Sequence, residues 1–431
     1  MAAFLAENTG RQPTARSIAA KVVERVLVDD AYVSAALDAE LRRHPQLDPR
    51  ERALATELSY GTMRTEPALR KRLYVHAPRG VSDERVLAQL LIAAYQILLL
   101  ERVPAFAAVD AAVTGVKRER GPRVAGFANA VLRKLAKTGE KLTQAQALRE
   151  AMPDWLWQQL ERDIGSEQAQ ALLTAEANTG LRRRLGVDEP EWLAALPAGQ
   201  VSPLSRLVRG EGDPRQRPGF AEGAFTVQEE GAQAVGLALG ARGSDRVLDA
   251  CAGRGQKSTL LAERLQGGHL VACDLYPEKL EALAEEAQRL QLPAIETRAV
   301  DWCVGQGGLP DDFERVLVDA PCSGTGTLRR RPEILRRLKP EDPARLGALA
   351  EVILRSAASR SRPGGLVLFA VCSVLREECE DVVERVADLL EPAPFDAPEL
   401  SADLFGGKTS LRLLPGLHGT DGYFMACFRR R

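Results

Sequence analysis

Two cysteines stand where covalent chemistry could be done. Cys322 lies in VDAPCSGTG (318–326) and Cys372 in AVCSV (370–374), each just after an apolar run that reads as a strand. Both therefore fall where a strand releases into a loop, the end of a strand at which open α/β sheets bind ligands. A free thiol titrates at about pH 8.5, and its thiolate is the attacking form, so a site that uses one must favour ionisation. Each of the two is a nucleophile, an assistant, or a small residue in a tight turn. Cys251, Cys273 and Cys427 sit in or beside apolar runs and read as small buried hydrophobes. Cys303, beside Asp301 and Trp302, reads as packing, and Cys379 falls in a helical stretch with no activating partner in sequence.

Carboxylates mark the same strand ends. Asp249, Asp274, Asp301 and Asp319 close four consecutive strand-like runs, a costly pattern to bury without partners. The first of these runs leads into CAGRGQK: Cys251, Ala252, Gly253, Arg254, Gly255, Gln256 and Lys257. Its glycines let a ligand approach the backbone, and the helix that follows favours negative charge at its start. An acidic residue about 20 positions on is placed to take ribose hydroxyls; Asp274 meets that requirement and Asp301 falls near an adenine. The turn fits neither GxGxxG nor GxxxxGK[ST], which lowers the dinucleotide and nucleoside-triphosphate readings. S-adenosylmethionine (SAM) fits best, having a ribose and an adenine but no phosphate.

A methyl donor beside two cysteines suggests one reaction. Cytosine C5 is too poor a nucleophile to attack a sulfonium methyl directly. A thiolate added at C6 makes C5 enamine-like, provided that an acid supports N3, and a base must later remove the C5 proton. The reaction thus needs a nucleophilic cysteine, a carboxyl group near N3 and a release base, and two cysteines with Asp319 supply such a set.

The elements that must hold these residues follow from periodicity. From residue 224 onward, short β-rich runs alternate with helical patterns: RVLDA, HLVACD, IETRAVD, RVLVDA and GLVLFAVCS, with helices between them. That alternation predicts a doubly wound parallel sheet. SLRLLPGLHGTDGYFMACFRRR predicts an antiparallel hairpin at its end. Before it, residues 1–140 are helical, with apolar residues at three- and four-residue steps in SIAAKVVERVL and a capped start at Asp48–Pro49. Residues 141–223 are broken by Pro and Gly and read as a small mixed α/β connecting domain. The apolar run 86–100 is too short to span a bilayer and reads as a buried helix. The start of the chain lacks a secretory core, and seven cysteines without a CxxC pair disfavour a disulfide framework or a zinc site. A cytoplasmic protein without metal is expected. With 58 Lys and Arg against 59 Asp and Glu, any polyanion site must be a local patch.

DAPCSGTG and AVCSV resemble the paired cysteine motifs of RNA cytosine-C5 methyltransferases. The helical start is similar to a NusB-like RNA-binding domain. Together with FAEGAFTVQEEGAQ, RRRPEI and HGTDGYFMA, they resemble the bacterial 16S ribosomal RNA cytosine-C5 methyltransferases of the Sun/Fmu type. The resemblance implies an all-α NusB-like domain, a connecting domain and a C-terminal Rossmann-like class I SAM-dependent methyltransferase. It makes Cys372 the nucleophile and Cys322 the helper in product release, with Asp319 on the target base, the cofactor or both. Asp274 and Asp301 hold ribose and adenine, and the backbone of 251–257 with Lys257 lines the cofactor pocket. CAGRGQK departs from the family's usual CAAPGGK, AVCS from ATCS, and Cys379 stands where a polar residue is commoner.

Arg329, Arg330, Arg331, Arg336, Arg337 and Lys339 follow the Cys322 loop and form a candidate phosphate patch. KRERGPR and LRKLAK in the helical domain form a second. The expected partner is 16S ribosomal RNA and the expected state a monomer. Rival readings are the same chemistry on transfer RNA, a non-catalytic RNA-binding or assembly factor, and a DNA methyltransferase in which the cysteine after proline attacks.

Overall fold

The computed structural model describes residues 13–210 and 212–431. The first twelve residues, on which the absence of a secretory core is mainly read, lie outside them. Two compact units divide the chain: the part up to Asp154 together with Arg329–Arg337, and Trp155–Leu328 together with Leu338–Arg431.

The first unit is helical: α1 (Ala15–Asp29), α2 (Val33–Arg43), α3 (Pro49–His76), α4 (Glu84–Leu99), α5 (Ala105–Lys137) and α6 (Gln144–Ala151). Its starts are set by side chains. Thr14 and Ser17 close a capping box on α1, and the Asp48 carboxylate accepts from the amides of Arg50 and Glu51, with Pro49 in the first turn of α3. Each such cap contributes about 1 kcal/mol. As the apolar run predicts, α4 is the central helix, buried from Val86 to Leu98. Gly61 of α3 lies so close to it that a Cβ would sit 2.2 Å from the Tyr95 ring. The glycine interruption expected in the last long helix is a kink: Gly121 (φ +81°) breaks α5, and Pro122 begins its second half. Among the described residues no helix is long and apolar enough to cross a membrane.

In the second unit, β1 (Thr179–Arg183), β2 (Ser205–Val208) and β3 (Phe225–Val227) make a small antiparallel sheet in the order β2-β1-β3. The strands β4 (Arg246–Asp249), β5 (His269–Asp274), β6 (Glu296–Ala299), β7 (Phe313–Asp319), β8 (Ser361–Val371), β9 (Leu390–Pro392), β10 (Ser410–Leu413) and β11 (Tyr423–Arg430) build the large one. Its order is β10-β11-β8-β7-β4-β5-β6, with β9 on β11. The strands β4 to β8 pair in parallel, and β10 and β11 form the expected antiparallel pair at one end. Successive side chains of a strand face opposite layers, so a sheet covered on both sides reads as a continuous apolar run. On β7, Val316 and Val318 enter one core with Leu354 and Phe369, while Leu317 enters the other with Leu237 and Leu260. The chain runs from β4 outward to β5 and β6, then returns to the other side of β4 with β7 and β8. That reversal opens a crevice beyond the carboxyl ends of β4 and β7.

Candidate active site

The strand ends carry the residues that the sequence singles out. Asp249, Asp274 and Asp319 are the last residues of β4, β5 and β7, and Cys372 follows β8 directly. Asp301 lies two residues past β6 and is exposed; its carboxylate accepts from the Cys303 amide at 2.9 Å. Cys303 is itself exposed, not packed as expected beside Asp301 and Trp302. Cys273 and Cys427 are buried as expected and Cys379 is buried as well, while Cys251, expected to be buried, is half-buried.

The loop 251–257 is shaped by its backbone. The Ala252 amide donates to Cys273 O at 2.7 Å, the Gly253 amide to Asp274 Oδ2 at 2.9 Å, and the Gly255 amide to Ala252 O at 2.9 Å. Gly255 has φ +84°, and a Cβ there would meet Leu283 at 2.4 Å, so only glycine fits without strain. By contrast Arg254 and Gln256 are exposed. The Asp274 carboxylate also accepts from the Tyr276 amide at 3.0 Å and from Lys279 Nζ at 3.3 Å. Beneath the loop, Trp302 closes the floor by donating to Ala250 O at 2.7 Å.

Asp249 is buried; Ser258 donates to its Oδ2 at 2.7 Å, and its Oδ1 has no hydrogen-bond partner. Burial pushes this carboxyl up to about 7. An orphaned acceptor, further strand-end carboxylates and a glycine cradle suit a ligand rich in donors and positive charge. SAM, with its ammonium, sulfonium and ribose hydroxyls, is of that kind, whereas a nucleoside triphosphate would be repelled.

Beside the loop, Lys257 Nζ lies 2.6 Å from Asp319 Oδ2. Burial works against its charge, but the Asp319 carboxylate outweighs it and raises the Lys257 pKa, with Cys372 adding in the same sense. The Cys322 and Cys372 sulfurs are 3.4 Å apart. The shared hydrogen bond with Cys372, then burial, pushes the Cys322 thiol well up, with Glu378 adding to it. Either sulfur can be the donor in that contact, and a proton held on one supports a thiolate on the other.

Several residues here were not visible in the sequence. Glu378 is buried behind both cysteines and bound by Ser323 and Ser373, the residue after each cysteine. Tyr423 lies on the other side, with Lys257 Nζ 5.9 Å from its ring centroid; burial, then the Glu229 charge, pushes its hydroxyl up. Glu229 caps a helix at the Ala232 amide and accepts from the Asp421 amide at 2.8 Å, anchoring HGTDG. That turn crosses the Cys322 loop backbone to backbone: Gly422 N donates to Gly326 O at 2.8 Å, and a Cβ on Gly326 would lie 2.0 Å from Gly422 O. Only Tyr423 adjoins an apolar run; Glu378 and Glu229 stand among charged and polar residues, where nothing in the sequence sets them apart.

The basic patch is narrower on the surface than in the sequence. In the helical unit, Arg329 is buried and Arg336 Nη1 lies 3.7 Å from Glu66. Arg337 sits 4.7 Å over the Tyr32 ring and donates to the Asp30 carbonyl. Arg331 is exposed and Arg330 half-exposed. On α5, Lys117, Arg118, Arg120, Arg123, Arg133, Lys134 and Lys137 are all exposed, with Phe127 among them. No group of His, Cys, Asp or Glu among the described residues forms a metal cage.

Comparison with known proteins matches residues 236–429 to the family model described as 16S rRNA methyltransferase RsmB/F, and residues 13–137 to the NusB family. The chain is 32% identical over 454 residues to the ribosomal RNA small subunit methyltransferase B of Xanthomonas campestris, covering 98% of each. It is 30% identical to the protein of the same description from Pasteurella multocida, covering 96% of each. The crystal structure of PH0851 superposes with a TM-score of 0.82 at 20% identity, covering 97% of this chain and 99% of that one.

Proposed function

The chain is a SAM-dependent RNA methyltransferase that belongs to the 16S rRNA methyltransferase RsmB/F family, and from that premise we propose that it methylates C5 of a cytosine in 16S ribosomal RNA through a covalent cysteine adduct. The observation that carries this reading is the pair of sulfurs, 3.4 Å apart at two neighbouring strand ends, beside the Lys257–Asp319 ion pair. In it, Cys372 is the nucleophile: its thiolate bonds to C6, and the π electrons of C5=C6 move toward C5 and N3. The Lys257 ammonium and the Cys322 S–H both favour that thiolate. Asp319 supports N3 as an acid by passing to it a proton drawn from the Lys257 ammonium, 2.6 Å away. When bound, SAM supplies an electrophilic methyl to C5. Cys322 then assists release: a base takes the C5 proton, the C5–H electron pair re-forms C5=C6, and the S–C6 pair leaves on the Cys372 sulfur.

The cofactor pocket in this reading is residues 251–257 with Asp274 on ribose, Asp301 near adenine and Asp319 shared with the base. RNA phosphates are met by Arg330, Arg331 and the basic face of α5, with Phe127 offering a ring for stacking. The enzyme reaches C6 by taking an unpaired or flipped cytosine. It acts as a cytoplasmic monomer with three parts, 1–140, 141–223 and 224–431, the first of them a NusB-like RNA-binding domain.

Incubation of 16S rRNA and transfer RNA with labelled SAM, followed by mass analysis of the nucleosides, tests the reading. Label in 5-methylcytidine from 16S rRNA alone is expected. Label in another nucleoside, or in transfer RNA alone, would refute it.

A further inference from the structure

Both cysteine loops are tied to one buried carboxyl group. Glu378 ends a short 3-10 turn, Arg376–Glu378, and is fully buried. Its Oε1 accepts from the Ser323 amide at 2.6 Å. Its Oε2 accepts from the Ser323 hydroxyl and from the Ser373 hydroxyl, each at 2.5 Å. Ser323 follows Cys322 and Ser373 follows Cys372, so one side chain grips the residue beside each sulfur.

The hub is closed by a third hydroxyl. Thr325 Oγ1 lies 3.0 Å from Ser373 Oγ and accepts from the Val374 amide at 3.2 Å, while the Leu375 amide donates to Ser373 Oγ at 3.2 Å. A direct tie between the loops runs from the Gly326 amide to Cys372 O at 3.0 Å. Cys379, next in chain to Glu378, points its sulfur at Ser373 O, 3.6 Å away. Buried polar groups are costly unless every one is partnered. The bonds of Ser323 to Glu378, of Thr325 to Ser373 and Val374, and of the Gly326 amide to Cys372 O form only when the two loops stand at their present separation. Burial pushes the Glu378 carboxyl up, against the two serines that hold it.

We propose that Glu378 is a positioning residue that clamps the Cys322 loop to the Cys372 loop through Ser323 and Ser373, fixing the distance between the sulfurs for adduct release. This rests on the reading of Cys372 as nucleophile and Cys322 as release assistant. Glu378 touches no substrate; it acts through the two serines. Cys372 is also held by β8, so adduct formation depends less on the clamp than release does, because release needs the second sulfur at its station.

The test compares full-length wild type, Cys322→Ala, Glu378→Ala and Glu378→Gln, each with 16S rRNA and SAM. Three quantities are read: SAM affinity, the rate of adduct formation and the rate of adduct decay, the last two on denaturing gels. Glutamine keeps the size and one acceptor, so it retains part of the clamp; alanine removes it. Glu378→Ala is expected to slow adduct decay at least tenfold with SAM affinity within about threefold of wild type, and Glu378→Gln to fall between. If Cys322→Ala decays slowly but both Glu378 variants decay like wild type, the clamp alone is wrong. Wild-type decay in Cys322→Ala removes the release role and the clamp with it. Parallel loss of SAM affinity, formation and decay in Glu378→Gln would mean a role in general stability and would also overturn the proposal.

Discussion

The cofactor loop and the cysteine hub lie in one crevice but are built on opposite principles. At residues 251–257 the backbone makes the structure: three amides set the turn, Gly255 fits against Leu283, Arg254 is exposed, and Gln256, though exposed, donates from Nε2 to Val227 O at 3.2 Å. At the cysteines the side chains make it: Ser323, Thr325, Ser373 and Glu378 hold one another in a nearly dry network. The difference explains where this chain departs from CAAPGGK. Arg254 and Gln256 replace proline and glycine at exposed positions, whereas the serines that follow both cysteines, Ser323 and Ser373, are each bound by Glu378.

The comparison can be broken at four points. The largest effect is expected at the hub's reacting end: Cys372→Ala should lower methyl transfer by at least about a thousandfold, read as label incorporated into 16S rRNA. A smaller fraction lost would place the nucleophile elsewhere.

Next comes Asp249, the buried carboxyl group at the end of β4. Asp249 titrates at about 7 in the folded chain and at about 3.9 unfolded. Because the folded state holds the proton more tightly, the resulting stability is fully present below pH of about 3.9 and is lost as pH rises through about 7. Asp249→Asn should therefore stabilise the protein at pH 8, by an order of a few kcal/mol, and hardly at all at pH 4. Urea unfolding at the two pH values checks the sign; equal shifts at both would contradict it.

Gly255→Ala should cost about 1–3 kcal/mol of stability through its positive φ, with weaker SAM binding by calorimetry, because the new Cβ meets Leu283. The smallest effect belongs to Arg254→Ala, whose side chain is exposed: stability should stay within about 0.5 kcal/mol and SAM affinity within about threefold. A large loss there would mean that the loop works through its side chains after all.

Much of the fold was legible because its signals are local. Alternating runs marked the parallel strands, Asp48–Pro49 marked a helix start, and Asp249, Asp274 and Asp319 marked strand ends. Cys322 and Cys372 were found the same way, although 50 residues separate them. The hub was not legible: Glu378 lies in a stretch that reads as a helix, with nothing to mark one acid of REECED from the next, and its partner Ser323 comes from a loop 55 residues away. The arginine run misled in the opposite direction. Six basic residues in a row of thirteen look like one surface, yet Arg329 is buried and Tyr32 and the Asp30 carbonyl hold Arg337, while Arg331, Arg336 and Lys339 are exposed. Sequence shows which charges are present but not which ones their own fold consumes.

The central claim is the division of labour between two sulfurs 3.4 Å apart. Its most direct test is peptide mapping of the denaturation-stable complex formed by Cys322→Ala with 16S rRNA and SAM. The account predicts RNA attached at Cys372, and no complex from Cys372→Ala. RNA attached at Cys322 in Cys372→Ala would contradict it.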